Sequence, residues 1–577
     1  MPSIVDCKPH SLAVRQKLHD DPGLGCGNFL FKVAAQAVDK KDCLFSLDSP
    51  WQSPAGPRYA QFSLADFEVA VCDLAAWYQT QGVRPKQVVC TYVSEGIAQF
   101  IHALALVSLG AIPAPVNWRM PPSTTLLYHR KYQFDHLVID AHGNQQAITG
   151  LVQDDAQANA LADDQGGATV SLLDASVVTT SPLPALPAHW PQGFDTHEAV
   201  MMICHSSGTT GIPKAVLFGH QQFFTGKRQR LLAFLERDDD RMFSALPHSH
   251  SAGFSYLMTA VMLGLRTHVM SDPCDPAMVA KMQAFAPTIM AGFPQTYAAL
   301  AEASPPAGSL ASLQRSYNTG DTAHEAHVRT LTAAAPDLCF HDGFGASELG
   351  MALFLGMSSR KSGIAQGRCI GSPVPFAKAR IIDAQGKELP HGEIGYFAIQ
   401  SPSITLGYYR DPGLTRRCRT ADGDWLTGDV GYRNKQGQFF HLDRAVDVIH
   451  TPRGKAYTLM LEEAILSGSR LIDVTVVGVP LSPRTSHMVV AYLRLPQAEA
   501  AQQVDSVLNL LDGLLLSQLG GPVPVTVVNT DLAQQQPTGA TGKALKRVLR
   551  DDFWGHHQAF LDREHSLFTH VQSRHLT

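Results

Sequence analysis

A glycine- and hydroxyl-rich segment directly after an apolar run limits the folds open to this chain. The segment is Ser206-Ser207-Gly208-Thr209-Thr210-Gly211-Ile212-Pro213-Lys214, and the apolar residues 199–204 predict a strand before it. Two glycines allow a tight turn that points backbone N–H groups at an anion, while the hydroxyls and Lys214 add donors and positive charge. The spacing is not that of a Walker A loop. The pattern predicts a loop that binds a polyphosphate.

Helical and strand patterns alternate on both sides of this loop. Residues 67–79 and 97–109 predict helices, and residues 87–92 and 111–116 predict short apolar strands. The same alternation returns between residues 196 and 365. Helices that alternate with short apolar strands predict α/β layers around a largely parallel sheet.

Other segments differ in character. Residues 141–195 are rich in Gln, Asp, Ala, Ser and Pro, which predicts a surface loop and a variable insertion. Short strand patterns with Gly-containing turns in 366–440 predict a β-rich lobe. Beyond it we expect a small α+β domain that contains an amphipathic helix at 504–519 and ends in a polar tail from residue 550. The predicted domains are residues 1–443 and 444–577.

Charge and composition exclude several classes of protein. The 577 residues include 46 Lys+Arg and 51 Asp+Glu, a formal net charge of −5, which argues against a dedicated nucleic-acid-binding protein. The sequence lacks a secretory signal pattern and an uncharged apolar run of about 18 residues, so we expect a cytoplasmic protein without membrane insertion. The 10 Cys form no C-x-x-C pair, which predicts reduced thiols rather than a disulfide framework or a zinc site.

Further motifs follow the loop. They are Phe344-Gly345-Ala346-Ser347-Glu348, Thr427-Gly428-Asp429, Asp443-Arg444-Ala445-Val446-Asp447, and the segment PTGATGK that ends at Lys543. With the 206–214 loop they resemble, in order and over roughly residues 50–550, the motifs of the adenylate-forming (ANL) superfamily. This superfamily includes acyl- and aryl-CoA synthetases, nonribosomal peptide adenylation domains and luciferases. The resemblance implies a large N-terminal domain of two α/β subdomains plus the β-rich lobe, and a small mobile C-terminal domain.

The resemblance also implies a site for ATP and Mg²⁺. Glu348 would hold Mg²⁺, a hard cation that prefers carboxylate and phosphate oxygens. Phe344 would pack on the adenine, Asp342 would accept from its amino group, and Asp429 would accept from the ribose hydroxyls. The positions that the resemblance assigns to ATP are Ser206, Ser207, Gly208, Thr209, Thr210, Gly211, Lys214, Gly320, Asp342, Gly343, Phe344, Gly345, Ser347, Asp429 and Arg444.

Catalysis by such an enzyme has two halves. A carboxylate attacks the α-phosphate of ATP and releases pyrophosphate. Lys543 would stabilise the negative charge that develops. The other predicted catalytic residues are Glu348, through Mg²⁺, and Arg444, which would reach the ribose or a phosphate. The C-terminal domain would then rotate, so that a thiol attacks the acyl-adenylate. The hinge motif departs from the family at two positions, because Asp443 replaces a glycine and Val446 replaces the usual Asp or Lys. The exact hinge residue therefore stays open.

The sequence predicts a small acid as substrate. The stretch from Pro247 to Gly253 resembles that of acyl and aryl ligases, which places His250 at the acyl pocket unless it is a packed or solvated histidine. Bulky Tyr317 and Met351 leave little space, provided that their side chains do not turn away. Asp321 would either recruit a substrate amine or lie in a turn. The predicted substrate-binding positions are His250, Tyr317, Thr319, Asp321, Gly343 and Met351.

The acceptor thiol has two candidates. One is the phosphopantetheine arm of a separate carrier protein, as in the stand-alone glycine-activating ligases of the AlmE type, which this chain resembles in its predicted small pocket and Asp321. The other is CoA, as in acyl- or aryl-CoA synthetases. A third hypothesis, suggested by the altered hinge, is a binding or regulatory relative that has lost the thioester half-reaction. The sequence favours glycine or a similarly small acid with a carrier protein.

Overall fold

The computed structural model describes most of the chain and gives the bounds of its helices and strands. The described residues are 10–161, 170–179, 181–187, 190–191, 199–206, 212–233, 240–321, 323–349, 354–361, 363, 367–481, 486–530, 537, 544–551, 553 and 568–574. The helices are α1 (Leu12–Asp20), α2 (Phe29–Gln36), α3 (Leu64–Thr80), α4 (Ile97–Ser108), α5 (Pro122–Tyr132), α6 (Gln145–Leu161), α7 (His220–Ala233), α8 (Ser251–Leu263), α9 (Met278–Phe285), α10 (Pro294–Glu302), α11 (Glu325–Ala334), α12 (Pro412–Arg417), α13 (Thr458–Gly468), α14 (Gln497–Leu519) and α15 (Lys546–Asp551). The strands are β1 (Cys43–Gln52), β2 (Arg58–Ser63), β3 (Val88–Tyr92), β4 (Ile112–Pro115), β5 (His136–Ile139), β6 (Ser171–Asp174), β7 (Val200–Ser206), β8 (Lys214–Gly219), β9 (Arg241–Ala245), β10 (Arg266–Val269), β11 (Ile289–Gly292), β12 (Arg315–Thr319), β13 (Cys339–Phe344), β14 (Phe354–Ser359), β15 (Cys369–Pro373), β16 (Lys378–Ile382), β17 (Gly395–Gln400), β18 (Gly407–Tyr408), β19 (Trp425–Arg433), β20 (Phe439–Arg444), β21 (Ile449–Thr451), β22 (Gly454–Ala456), β23 (Thr475–Pro480), β24 (His487–Arg494), β25 (Val525–Thr530) and β26 (Phe568–Arg574).

One long sheet forms the centre of the molecule. Among the described residues its strand order is β16-β17-β19-β20-β15-β14-β13-β12-β11-β9-β10-β1-β2. The strands from β1 to β13 in this order are parallel, and antiparallel strands extend the sheet at both ends. Parallel strands need helical connections that cover both faces, which is why these strands are short and apolar. The β-rich lobe predicted at 366–440 contributes strands to this sheet rather than forming a separate one.

A second parallel sheet, in the order β4-β3-β5-β6, packs against the first through α4. Every residue of α4 is buried, and the helix contacts β3 and β4 on one side and β1 on the other. A helix that is apolar on all sides has to lie inside the protein. Its polar residues are satisfied, since Gln99 donates to the carbonyls of Val93 and Val116 at 2.8 and 3.0 Å.

The C-terminal residues form a smaller α+β unit. Its sheet runs β23-β24-β25-β26, with α13 and α14 packed on it around buried residues such as Ile465, Val489 and Leu511. The chain is thus a mixed α/β protein with a large N-terminal part and a small C-terminal part. The predicted boundary at 443/444 stays a prediction.

Two segments differ from what the sequence predicts. Residues 141–195 contain α6 and β6, where we expected a loop. The sequence signal for this helix is weak, because within residues 145–154 the buried apolar side chains are Ile148 and Val152, one turn apart. The expected polar tail after residue 550 includes β26, an edge strand held by backbone pairing with β25. Backbone pairing requires no apolar pattern, so a polar edge strand leaves no clear signal.

A charged network joins the two parts of the chain. Asp443, at the end of β20, is buried and accepts hydrogen bonds from the backbone N–H and the hydroxyl of Thr458, the first residue of α13. Lys546 Nζ donates to Thr458 Oγ1 at 2.6 Å and lies 2.8 Å from Glu462 Oε1. Burial raises the pKa of Asp443 to about 6, while Lys546 and the Thr458 N–H oppose this. The aspartate that replaces a hinge glycine therefore forms hydrogen bonds with the first residue of α13, in the C-terminal part.

We expect Lys546→Met to destabilise the C-terminal part strongly. The variant would leave Glu462 buried without its cation, which typically costs about 3–5 kcal/mol. Hydrogen exchange of the β23 amides, measured by mass spectrometry, reports this cost, because the N–H of Val476 donates to Glu462. The matched control is Arg547→Met on the same helix, whose exposed pair with Asp551 contributes about 0.5 kcal/mol or less. Equal exchange in the two variants would contradict the assignment.

Candidate active site

The carboxyl ends of β12 and β13 bring the predicted substrate positions together. The strands are parallel, and their register sets Tyr317 opposite His341 and Thr319 opposite Gly343. Because side chains alternate along a strand, Tyr317 and Thr319 point to the same face of the sheet. The sheet thus aligns three of the residues that the sequence assigns to substrate binding.

Asp342 lies on the opposite face of β13 and holds the loop after β12. Its carboxylate accepts from Asn318 Nδ2 at 2.6 Å and from the N–H of Ala323 at 3.2 Å, while Asn318 also donates to the carbonyl of Asp321. Burial raises the pKa of Asp342 to about 7, and the Asn318 hydrogen bond only partly opposes it. The carboxyl predicted to accept from adenine is therefore partly protonated near neutral pH.

A glycine and two aromatic rings close the turn after β12. Gly320 has φ +88°, a left-handed conformation that favours glycine. A Cβ at this position would lie 2.9 Å from Cε1 of Phe293. The Phe293 ring in turn meets the His250 ring edge-on, with the centroids 5.1 Å apart. Gly320 therefore allows the chain to pass closely over Phe293 next to His250.

His250 caps α8 and contacts the phosphate-side motif. Its Nδ1 accepts from the N–H of Ala252 at 3.2 Å, and its Nε2 lies 3.2 Å from the hydroxyl of Ser347. Because Nδ1 accepts, we assign the neutral tautomer with the proton on Nε2, which then donates to Ser347. The motif glycine, Gly253, is needed for packing, since a Cβ there would lie 2.4 Å from the carbonyl oxygen of Pro247.

Glu348 is the middle residue of the 3-10 helix Ser347–Leu349, and its side chain contacts strand β18. It accepts from the hydroxyl of Tyr408 at 2.9 Å, and its carbonyl accepts from the N–H of Thr405 at 2.8 Å. Lys214 Nζ lies 5.3 Å from the centroid of the Tyr408 ring. Lys214 and Glu348, which the sequence separates by more than a hundred residues, therefore lie on two sides of one tyrosine.

This arrangement fits Mg²⁺ delivered with a nucleotide. Among the described residues, no group of three or more His, Cys, Asp or Glu side chains could hold a metal ion. Mg²⁺ usually binds through one or two carboxylates together with substrate phosphates, and Glu348 supplies one such carboxylate. When bound, the ion would neutralise phosphate charge.

Asp429 and Arg444 form the predicted ribose site. Asp429 is buried in β19, and its carboxylate lies 3.4 Å from Arg444 Nη1 and 3.3 Å from His441 Nε2. Burial alone would raise the pKa of Asp429, but Arg444, His441 and Thr427 together hold it below its usual value. The ionised acid is thus available as an acceptor, and the half-exposed Arg444 extends from it towards solvent.

The structure places Asp321 on the nucleotide side of the site. Its Oδ1 accepts from Arg368 Nη2 at 3.3 Å and lies 3.7 Å from His441 Nδ1. His441 thus stands between Asp321 and Asp429, and its ring also packs 5.1 Å from that of Phe344. These contacts connect Asp321 to the predicted ribose and adenine positions. Its predicted role in recruiting a substrate amine stays a prediction.

A row of aromatic rings lies at the predicted substrate positions. The Tyr317 ring stacks on His341 at 4.9 Å and 17°, and the Tyr256 ring of α8 lies 6.1 Å away. Burial raises the pKa of Tyr317, so its hydroxyl stays protonated at neutral pH. Flat rings in a row provide a surface for a planar aromatic ligand.

Several predicted residues lie outside the described part of the chain. They are Ser207, Gly208, Thr209, Thr210, Gly211, Met351 and Lys543. Ser206, the last residue of β7, pairs with Lys214, the first residue of the antiparallel strand β8. The two ends of the predicted polyphosphate loop are therefore adjacent.

The sequence did not point to four residues that the structure places in the site. His441, Arg368, Tyr408 and Tyr256 contact predicted site residues but stand in no recognised motif. The signal that could have located Tyr408 is strand pairing, because β18 pairs with β8, the strand that begins at Lys214. The others are positioned by long-range packing that a local pattern does not encode.

The comparisons with known proteins agree with this geometry. Residues 32–409, more than half of the chain, match the AMP-binding enzyme family. The chain belongs to this family and is an ATP-dependent adenylate-forming ligase of the ANL superfamily. An ATP-bound MatB structure from Rhodopseudomonas palustris has a TM-score of 0.73 and 19% identity, covering 92% of this chain and 99% of that one. That likeness establishes the fold.

Two relatives are diazotases. The chain is similar to a 3-aminoavenalumate diazotase of Streptomyces sp, with 32% identity over 93% of this chain and 98% of the relative. It is also similar to a 3-amino-2-hydroxy-4-methoxybenzoate diazotase of Streptomyces cremeus, with 27% identity over 70% and 76%. A 3-hydroxybenzoate–CoA ligase of Aromatoleum sp. is 26% identical over 79% and 84%.

No helix among the described residues has the length and apolar character needed to cross a bilayer.

We expect Glu348→Gln to weaken the dependence on Mg²⁺. The amide keeps the shape but lacks the charge, so the Mg²⁺ concentration for half-maximal pyrophosphate release should rise at least about tenfold. Tyr408→Phe, which removes only the donor to Glu348, should cause a smaller rise. Unchanged Mg²⁺ dependence of the glutamine variant would remove Glu348 from the metal site.

We expect the KM for ATP to depend on pH near 7 through Asp342. The ionised carboxylate is the stronger acceptor, so KM should rise as pH falls through about 7, the raised pKa of this group. The difference between a charged and a neutral acceptor is about 1 kcal/mol, or roughly fivefold. Steady-state kinetics between pH 6 and 8.5 measures this, and Asp342→Asn should flatten the profile. An equally steep profile in that variant would contradict the assignment.

Proposed function

We propose that the chain is an ATP-dependent diazotase, which activates nitrite as a mixed anhydride with AMP and transfers its nitrogen to an aromatic amine. The observation that carries the proposal is the similarity to a 3-aminoavenalumate diazotase, because it extends over 93% of this chain and 98% of that relative. A second diazotase among the relatives supports it. Both names denote aromatic amines as substrates.

The chemistry requires an activated nitrogen donor. A diazonium group contains one nitrogen from the amine and one at the oxidation level of nitrous acid, and nitrite is the stable anion at that level. Nitrite is also a very small acid, which agrees with the bulk of Tyr317 at the predicted acid site. The Tyr317–His341 stack supports an aromatic ring as the second substrate.

In the first step a nitrite oxygen attacks the α-phosphorus of ATP. A new P–O bond forms, the bond to the β-phosphate breaks, and pyrophosphate leaves. Negative charge accumulates around the α-phosphate, where Lys214, Arg444 and Lys543 would stabilise it. Ser347, which accepts from the neutral His250, is free to turn its own hydroxyl hydrogen towards a phosphate oxygen.

In the second step the amine nitrogen attacks the nitroso nitrogen of the adenylate. The N–O bond breaks, AMP leaves, and loss of a proton gives an N-nitrosamine. Tautomerisation and loss of the remaining oxygen as water yield the aryl diazonium ion. One amine, one nitrite and one ATP thus give one diazonium ion, AMP, pyrophosphate and one water, so the atoms and charges balance.

The contacts of the hinge motif favour a small amine as acceptor. A phosphopantetheine thiol is reached in two-step ligases by rotation of the C-terminal domain. Here Asp443 in the hinge motif is hydrogen-bonded to Thr458, and Lys546 connects Thr458 to Glu462. A small amine can enter without such a rotation.

In a second candidate function, the acceptor is a thiol rather than an amine. In it, the chain adenylates a small carboxylic acid such as glycine and transfers it to the phosphopantetheine of a separate carrier protein, or to CoA. The observation that favours it is similarity to ligases of both kinds, including a fatty acid–[acyl-carrier-protein] ligase that is 24% identical over 77% of this chain. The motif resemblance supports both candidates equally, since both begin with an adenylate.

Incubation with ATP, Mg²⁺, ¹⁵N-nitrite and 3-aminobenzoate or 3-aminocinnamate at pH 8 separates the candidates. We expect AMP formation that requires both nitrite and amine, and a diazonium ion that carries one ¹⁵N and is trapped by coupling to a naphthol. At this pH the uncatalysed reaction is slow, and a reaction without enzyme measures it. The control Lys543→Ala should release no pyrophosphate.

The opposite pattern would overturn the proposal. Pyrophosphate exchange that depends on glycine or another carboxylic acid, with no effect of nitrite, would establish the second candidate instead.

A further inference from the structure

Helix α7 carries two cations, the buried Lys227 and the partly exposed Arg230, next to the candidate substrate surface. Lys227 is 1% exposed and its ammonium lies 3.3 Å from the centroid of the Phe223 ring. Arg230, one turn later, lies over the ring of Tyr256 with its central carbon 4.6 Å from the centroid. Positions three apart share one face of a helix, so both cations lie on the side that packs against α8.

The neighbouring Arg228, on the same helix, has a structural role and serves as a comparison. It points the other way and donates to the carbonyls of His19, Asp21 and Leu24 at 2.7, 2.7 and 2.8 Å. These three bonds fasten α7 to the loop after α1. Arg228 therefore has a complete set of partners within the fold.

Arg230 lacks such a set. Among the described residues, only its Nη1 makes hydrogen bonds, with Thr259 Oγ1 at 2.8 Å and with the carbonyl and hydroxyl of Ser255 at 3.5 and 3.4 Å. All of these are neutral groups. Within the described ranges, no carboxylate pairs with Arg230 or with Lys227.

Two adjacent cations without an acid are costly inside a protein. Buried charges are normally paired, and an unpaired one is destabilising or loses its charge. Burial, with a smaller contribution from Arg230, lowers the pKa of Lys227 to about 7. Among the described residues, the positive charge of Arg230 therefore has hydrogen-bond partners but no paired carboxylate.

These two cations lie next to the substrate surface. Arg230 covers Tyr256, the Tyr256 ring lies 6.1 Å from Tyr317, and Tyr317 stacks on His341. At the other end of this row, Thr319 follows Tyr317 on the same face of β12. An aromatic ligand along this row would have one end at the adenylate and the other at Arg230.

We infer that Arg230, supported by Lys227, binds a carboxylate carried by the aromatic substrate at the end opposite its amino group. The inference deepens the proposed function and rests on it for the amine. It places the amino group towards the adenylate and the carboxylate at Arg230, away from ATP. A guanidinium suits this task because it can donate two parallel hydrogen bonds to a carboxylate.

Binding of matched acids and amides tests this without any turnover. Calorimetric titration of the full chain, with ATP and Mg²⁺ but no nitrite, compares 3-aminobenzoate with 3-aminobenzamide. We expect the wild type to bind the acid at least tenfold more tightly than the amide. Arg230→Met should abolish this preference, Arg230→Lys should retain part of it, and Lys227→Met should reduce it by a smaller factor.

A charge control excludes a general electrostatic effect. Arg266→Met removes an exposed cation of β10 and should leave the preference for the acid unchanged. If Arg230→Met keeps the wild-type preference, the inference is wrong. Thermal unfolding of each variant establishes that a lost preference does not come from a misfolded protein, and Arg230→Lys provides a second folded variant.

The failure of this inference differs from the failure of the proposed function. If binding of the acid is preferred and depends on Arg230, but no diazonium product forms, the carboxylate site is supported and the diazotase function is rejected. If a diazonium product forms equally well from the acid and the amide, the diazotase proposal stands and the carboxylate site at Arg230 is rejected. ATP–pyrophosphate exchange supported by 3-aminobenzoate alone would show its carboxylate at the α-phosphate, which would overturn the inferred orientation.

Discussion

The hydrogen bond between Asn318 and Asp342 holds the centre of the site. It joins neighbouring positions of two parallel strands at 2.6 Å, and the same Asn318 amide also holds the carbonyl of Asp321. With the strands in this register, the opposite face aligns Tyr317 with His341 and Thr319 with Gly343. The acid is buried, and burial raises its pKa to about 7, which favours the protonated form as the pH falls below neutral.

Charges are distributed differently on the two sides of the site. On the nucleotide side, acids and bases are interleaved, so that Asp429 lies beside Arg444 and Asp321 beside Arg368. On the substrate side, Lys227 and Arg230 lie near each other, and neither pairs with a carboxylate among the described residues. The first arrangement keeps polar groups oriented before a nucleotide binds, whereas the second leaves a positive charge for a ligand to neutralise.

The sequence was informative where a chemical requirement fixes residue types close together along the chain. The α/β class, the ATP motifs and helix α4 were predicted because apolar periodicity and short motifs are local signals. It was uninformative where contacts join distant strands, as for His441, whose role depends on β19 and β20 being paired. Helix α6 was missed because its sequence signal is weak. The small carboxylic acid predicted from the sequence stays a prediction, and the diazotase proposal, with nitrite and an amine, rests on the relatives and not on any local pattern.

The central claim is that nitrite oxygen attacks the α-phosphate of ATP. Its most direct test is a reaction with ¹⁸O-labelled nitrite and 3-aminobenzoate at pH 8, followed by mass spectrometry of the AMP. Because the N–O bond breaks when the amine attacks, AMP should retain one oxygen from nitrite, and the diazonium product should retain none. AMP without label, formed at the rate of the complete reaction, would show that no nitrite adenylate forms and would contradict the account.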